Sequence, residues 1–130
     1  MSNITFPDAF NGSIICRSNP INGIRVKLEP LTGVQIGAVL KLSWLGFSDD
    51  AGTSPIPDTE TSLNHFVTKS DIADGVEKTI GDYFQHIKPI RNGSARASYT
   101  INGGSPTFAD IRVRLVNAVG ETCDEIGGQR

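Results

Sequence analysis

Four carboxylates, Asp49, Asp50, Asp58 and Glu60, fall within residues 47–61, the longest stretch of the chain without hydrophobic periodicity. Hard oxygen ligands at that density are the kind that hold calcium, yet their spacing fits no calcium-loop signature. An ordinary hydrated acidic loop is the expected state, no metal is assigned, and the four residues stand as candidate ligand-binding positions. A second set is basic: Arg25, Lys27, Lys41, Arg96, Arg112 and Arg114. If their strands share a sheet, they make a positive face able to meet an acidic polymer, a sulfated glycan or an anionic lipid. Outward strand positions also need solubility and protection against edge pairing, and that is their expected role.

Nucleophilic or metal chemistry finds little support. The two histidines, His65 and His86, sit at no metal-ligand spacing and in no recognisable Ser/His/Asp arrangement, so both are expected to be structural or solvent-facing. Asn102-Gly103-Gly104-Ser105 lacks the Lys of a phosphate-binding loop and has no helix after it, which predicts a hairpin. Cys16 and Cys123 lie near opposite ends of the sequence. A bridge between them would close a long loop, but no export signal implies an oxidising compartment, so two partly buried thiols are the first expectation and a disulfide the alternative. No catalytic residue and no cofactor is expected.

The elements that must position these residues read as strands. Ile24, Val26 and Leu28 alternate with Arg25, Lys27 and Glu29; Ala38, Leu40, Leu42 and Trp44 alternate with Val39, Lys41, Ser43 and Leu45. Ala95 to Ile101 and Ile111 to Val116 repeat the pattern. Weaker strands are expected at 14–17, 62–68 and 75–80, for a total of about seven. Asn-Gly and Pro-Gly clusters punctuate them. A single helical turn is expected at Ser70 to Ala73, capped by Ser70 or Asp71, with another at Asp82 to Ile87. Residues 47–61 are expected to be the most mobile loop. Each strand has one apolar face to bury, so the fold is a two-sheet sandwich or a barrel.

The 130 residues suit one domain, with a core over about 12–120 and a flexible tail over 121–130. A net charge of -2, from 12 basic and 14 acidic residues, argues against nucleic acid as a partner. No apolar run approaches the ~20 residues of a transmembrane helix. The opening residues have neither the basic nor the apolar region of a secretory signal. The compartment is therefore left open: cell surface or extracellular if the chain belongs to a longer exported protein, cytoplasmic otherwise. Asn3, Asn11 and Asn92 fit the glycosylation pattern, though the last two have a turn explanation as Asn-Gly steps.

A Trp on an early central strand and a Tyr on a late one favour the sandwich, of immunoglobulin-like type with about seven antiparallel strands. The run Phe6-Pro7-Asp8-Ala9, then Asn11-Gly12, then Gly33-Val34-Gln35-Ile36-Gly37 leading into Leu40 to Gly46, resembles the immunoglobulin-like repeat module of large bacterial surface or adhesin-like proteins of the pseudomonad type. Gly93-Ser94-Ala95-Arg96-Ala97-Ser98-Tyr99-Thr100-Ile101 matches the module's returning strand. The resemblance spans roughly residues 6–120 and implies a non-catalytic building block with no catalytic residues to transfer. The functional expectation is a binding or adhesion module for a glycan or protein partner. The alternatives are a structural repeat or assembly unit, and a small toxin-like, insecticidal β-sandwich protein. Trp44→Ala is expected to cost roughly 3–5 kcal/mol in denaturant unfolding; a loss below about 1 kcal/mol would put the ring at the surface.

Overall fold

The structure, a computed structural model, describes residues 4–31 and 33–125. The fold is all-β, in two sheets. Among the described residues there are eight strands: β1 (Ile4–Thr5), β2 (Ser13–Ile15), β3 (Ile24–Leu28), β4 (Val39–Phe47), β5 (Thr61–Phe66), β6 (Val76–Ile80), β7 (Asn92–Ile101) and β8 (Thr107–Arg114). One sheet has the order β1-β3-β6 and the other β2-β8-β7-β4-β5. Among these residues no helix is long and apolar enough to cross a membrane.

Alternation decides which side each strand buries. On β3, Ile24, Val26 and Leu28 are buried while Arg25 and Lys27 are exposed. On β4 the buried set is Leu40, Leu42 and Trp44, facing Tyr99 and Ala97 of β7 through the register Leu42↔Tyr99 and Trp44↔Ala97. Ile111 and Val113 of β8 extend the same buried face. These residues form one core cluster with Val76 and Ile80 of β6, so the two sheets share a single core. Each Val, Leu or Ile side chain among them contributes about 1.5–3 kcal/mol on removal from water. The Trp44 ring is fully buried, and its Nε1–H donates to the His86 carbonyl at 3.0 Å.

Two glycines explain local features of the frame. Gly46, which ends the Trp-Leu-Gly step, is seated against the Ile90 side chain; a Cβ there would collide with it. Gly103 supplies the second left-handed residue of the β7–β8 turn, after Asn102, with φ of 75° and 51°. Two successive positive-φ residues closed by the Gly104 N–H to Ile101 carbonyl bond make the tight hairpin that the sequence predicts.

Several expectations need correction. The strands, eight among the described residues where about seven were expected, are not all antiparallel: β2 runs parallel to β8, because after β1 the chain turns at Asn11-Gly12 and crosses to the second sheet. The helix α1 (Lys69–Asp74) is capped by Thr68, whose hydroxyl accepts from the Asp71 N–H, rather than by Ser70 or Asp71. The second expected turn is a single wide turn over Tyr83–Ile87, started by Asp82, whose carboxylate accepts from Gln85 N–H. β8 begins at Thr107, earlier than the apolar pattern indicates, because Phe108 stands on its solvent side.

The cysteines are the largest correction. Cys16 and Cys123 are joined in a disulfide, with Cα atoms 5.4 Å apart and 107 positions between them in sequence. Parallel pairing is the physical reason: β2 and β8 end at the same side of their sheet, so Cys16, directly after β2, meets the segment that follows β8. The expected flexible tail over 121–130 therefore does not begin at 121. Thr122 and Cys123 are buried, and residues 126–130 of that tail lie outside the described residues. Replacing both cysteines by Ser, or reducing the wild-type chain, is expected to lower stability by about 2–5 kcal/mol in chemical denaturation, since the bridge closes a loop of more than a hundred residues.

Candidate functional site

The side of the five-stranded sheet that faces away from the core is regularly patterned. Its register rows are set by pairing: Phe108↔Ser98↔Ser43↔Ser62 across β8, β7, β4 and β5, then Thr100↔Lys41↔Asn64, then Val39↔Phe66. Phe66 and Phe108 are 68% and 56% exposed, so these rings meet solvent at opposite corners of the face. Three strand spacings and four residue steps separate them, an area of roughly 14 by 13 Å. Between them lies a ladder of hydroxyls and one amide, with Lys41 in its middle row. A shallow groove of about 390 Å³ opens there, lined by Lys41, Ser43, Glu60, Thr61 and Ser62.

One row further along, Arg96 is held in place by its neighbours. Its guanidinium donates to both oxygens of Asp110, at 2.7 and 3.2 Å, and lies 4.6 Å from the centre of the Phe108 ring and 5.5 Å from that of Phe47. The paired carboxylate raises the Arg96 pKa. Planar guanidinium, carboxylate fork and aromatic faces make a rigid shelf beside the groove.

The loop over 48–60 folds back on this end of the face. Asp49 accepts hydrogen bonds from the Thr53 hydroxyl and from the N–H groups of Thr53 and Ser54, and the Thr53 hydroxyl is the main cause of its lowered pKa. Ser94 donates to the Asp49 carbonyl at 2.6 Å, and Arg114 reaches Asp50 at 2.7 Å. Thr59 is fully buried, bonded through its hydroxyl to Gly46 N–H and to the Ile56 carbonyl. The loop expected to be the most mobile is thus tied at several points to β4, β7 and β8.

This arrangement disperses the four acidic candidates. Asp49 serves its own loop and Asp50 serves Arg114, while Asp58 and Glu60 are exposed. Among the described residues no three His, Cys, Asp or Glu side chains come together as metal ligands would. The basic set is divided as well. Arg25 and Lys27 lie on the three-stranded sheet; Lys41, Arg96, Arg112 and Arg114 lie on the other. Arg25 pairs with Asp8 at 2.6 Å and Glu77 at 3.3 Å, and Arg96 and Arg114 pair with aspartates. Only Lys27, Lys41 and Arg112 of the six have no ion pair among the described residues, so no single positive face forms.

Both histidines hold the frame. His65 Nε2 lies 2.6 Å from Asp71 Oδ2, which also accepts from Thr68 N–H. Burial opposes ionisation of Asp71, but those bonds outweigh it and keep its pKa low. His86 Nδ1 accepts from the Asp82 N–H at 2.8 Å.

A polar cluster that the sequence reading missed lies beside the disulfide. The Tyr83 hydroxyl donates to Asp124 at 2.8 Å, Lys88 donates to its other oxygen at 2.9 Å, and the Thr122 hydroxyl adds a third bond. These partners are 36 and 41 positions from Asp124 in sequence for Lys88 and Tyr83, so no local pattern marks them.

Comparison with protein families, curated proteins and solved structures returns no match for the chain. The cluster around Asp124 has a measurable signature. Burial alone would raise its pKa, but the bonds from Lys88, Tyr83 and Thr122 bring it down from 3.8 to about 2. A carboxylate with a depressed folded pKa gives stability that is present above its unfolded value and lost as pH falls through the folded one. Wild-type stability is expected to decline as pH falls from about 4 to about 2, with a shallower decline in Asp124→Asn, in denaturant titrations across that window.

Proposed function

We propose that the chain is a non-catalytic recognition module of immunoglobulin-like sandwich type, and that its ligand is a glycan held on the outer face of the five-stranded sheet. The strand orders β1-β3-β6 and β2-β8-β7-β4-β5, with a buried Trp on β4, fit that sandwich type. The position of the disulfide departs from the antibody pattern, since Cys16 and Cys123 lie outside the strands that the pattern joins.

The observation that carries the ligand reading is the pair of exposed rings, Phe66 and Phe108, framing Ser43, Ser62, Ser98, Thr100 and Asn64, with Lys41 the one charged residue in the rows between them. Sugar rings offer apolar faces for such aromatics and hydroxyls for such donors and acceptors. The dispersed carboxylates and the divided basic set favour recognition that needs neither calcium nor a strongly anionic ligand. An adhesion role accords with an oxidising setting, where the bridge is stable.

The test is a glycan array probed with the purified chain at low and physiological salt, with and without calcium. Binding is expected to survive physiological salt, to be indifferent to calcium, and to weaken about tenfold or more in Phe66→Ala and in Phe108→Ala. Silence under every condition, or binding that both variants retain in full, would overturn this reading.

A further inference from the structure

Among the described residues four strands form sheet edges: β1, β6, β2 and β5. Exposed edges invite pairing with another chain unless they are short, charged, bulged or interrupted by proline. β1 and β2 have two and three residues, and β6 carries Glu77 and Lys78. β5 has none of these protections. Its six residues, Thr-Ser-Leu-Asn-His-Phe, contain no Lys, Arg, Asp, Glu or Pro and pair with β4 in unbroken register.

The direction of its backbone groups follows from one bond. Val67 N–H donates to the Ala38 carbonyl at 2.9 Å, so Val67 points its amide toward β4. Alternate residues of an antiparallel strand point the same way, so Thr61, Leu63 and His65 also address β4, while Ser62, Asn64 and Phe66 direct N–H and C=O away from the sheet. Among the described residues no turn, loop or cap hydrogen bond reaches those three backbone positions.

We propose that β5 is a self-association edge at which a second copy of this chain pairs antiparallel across a two-fold axis at Asn64. That register sets Asn64 opposite Asn64 of the second copy and Ser62 opposite its Phe66, giving about six backbone hydrogen bonds from the three outward-facing positions. It also brings Glu60 of each copy beside Thr68 and Lys69 of the other. Glu60 and Lys69 are both exposed and carry opposite charge, so the two ends of the pairing attract. A foreign strand would lack this built-in match of charge and register. The same symmetry joins the two ligand-facing sheet surfaces into one continuous ten-stranded face.

Sedimentation equilibrium of the full chain, over concentrations from about 10 μM to about 1 mM, is the test. A reversible dimer is expected. Asn64→Lys sets two ammonium groups face to face at the axis and is expected to weaken the dimer about fivefold or more, with circular dichroism unchanged. An equimolar mixture of Asn64→Lys and Asn64→Asp is expected to recover a heterodimer. Glu60→Lys, outside the strand, is expected to weaken association, and Glu60→Lys combined with Lys69→Glu to restore it. A wild-type chain that stays monomeric throughout, one that binds only unrelated extended peptides, or a dimer indifferent to these charge changes would overturn the proposal.

Discussion

Burial of the inner face of β4 is the constraint on which the rest of the molecule depends. Leu40, Leu42 and Trp44 are fully or almost fully buried, and the strand that carries them lies between β7 and β5, so every neighbour must present an apolar side to it. The indole adds direction to a force that otherwise has none. Its Nε1–H must find an acceptor once it leaves water, and the His86 carbonyl is that acceptor. The segment over 82–90 is thereby fixed against the core, which in turn seats Ile90 on Gly46 and brings Lys88 and Tyr83 toward the end of the chain.

Charge is handled locally on the outer surfaces of both sheets. Arg25, Arg96 and Arg114 each meet a carboxylate from another element, and these exposed pairs individually add little to stability. Their collective effect is on the surface that remains. With Arg96 and Arg114 paired, Lys41 and Arg112 are the cations of the set that stay without an ion pair, among the described residues, on the outer face of the five-stranded sheet with its rings, hydroxyls and one amide.

The central strands were legible in the sequence because their apolar residues repeat every second position, the one signal a pleated strand must leave when a single side is buried. β3, β4 and β7 owe their recognition to that pattern. The start of β8 was hidden where Phe108 reverses it, since an aromatic on the wet side looks like a core residue in the wrong phase. β1, with two residues, is too short to show any period. The candidate site was legible only in part. Lys41 and Arg96 were seen as outward residues, but which strands lie side by side is decided by the whole core, and pairings such as Arg114 with Asp50 follow from that order alone. The disulfide was open as an alternative and undecidable from spacing, because it depends on the parallel run of β2 beside β8.

That bridge also gives the chain a particular mechanical character. Tension applied to its two ends passes from Cys16 directly to Cys123, across Cα atoms 5.4 Å apart. Everything between them, from β3 through β8, is shunted out of the load path, and of the strands among the described residues β1 and β2 carry the pull. Stretching can peel the first two strands away, but it cannot draw out the loop of more than a hundred residues behind them while the bond holds.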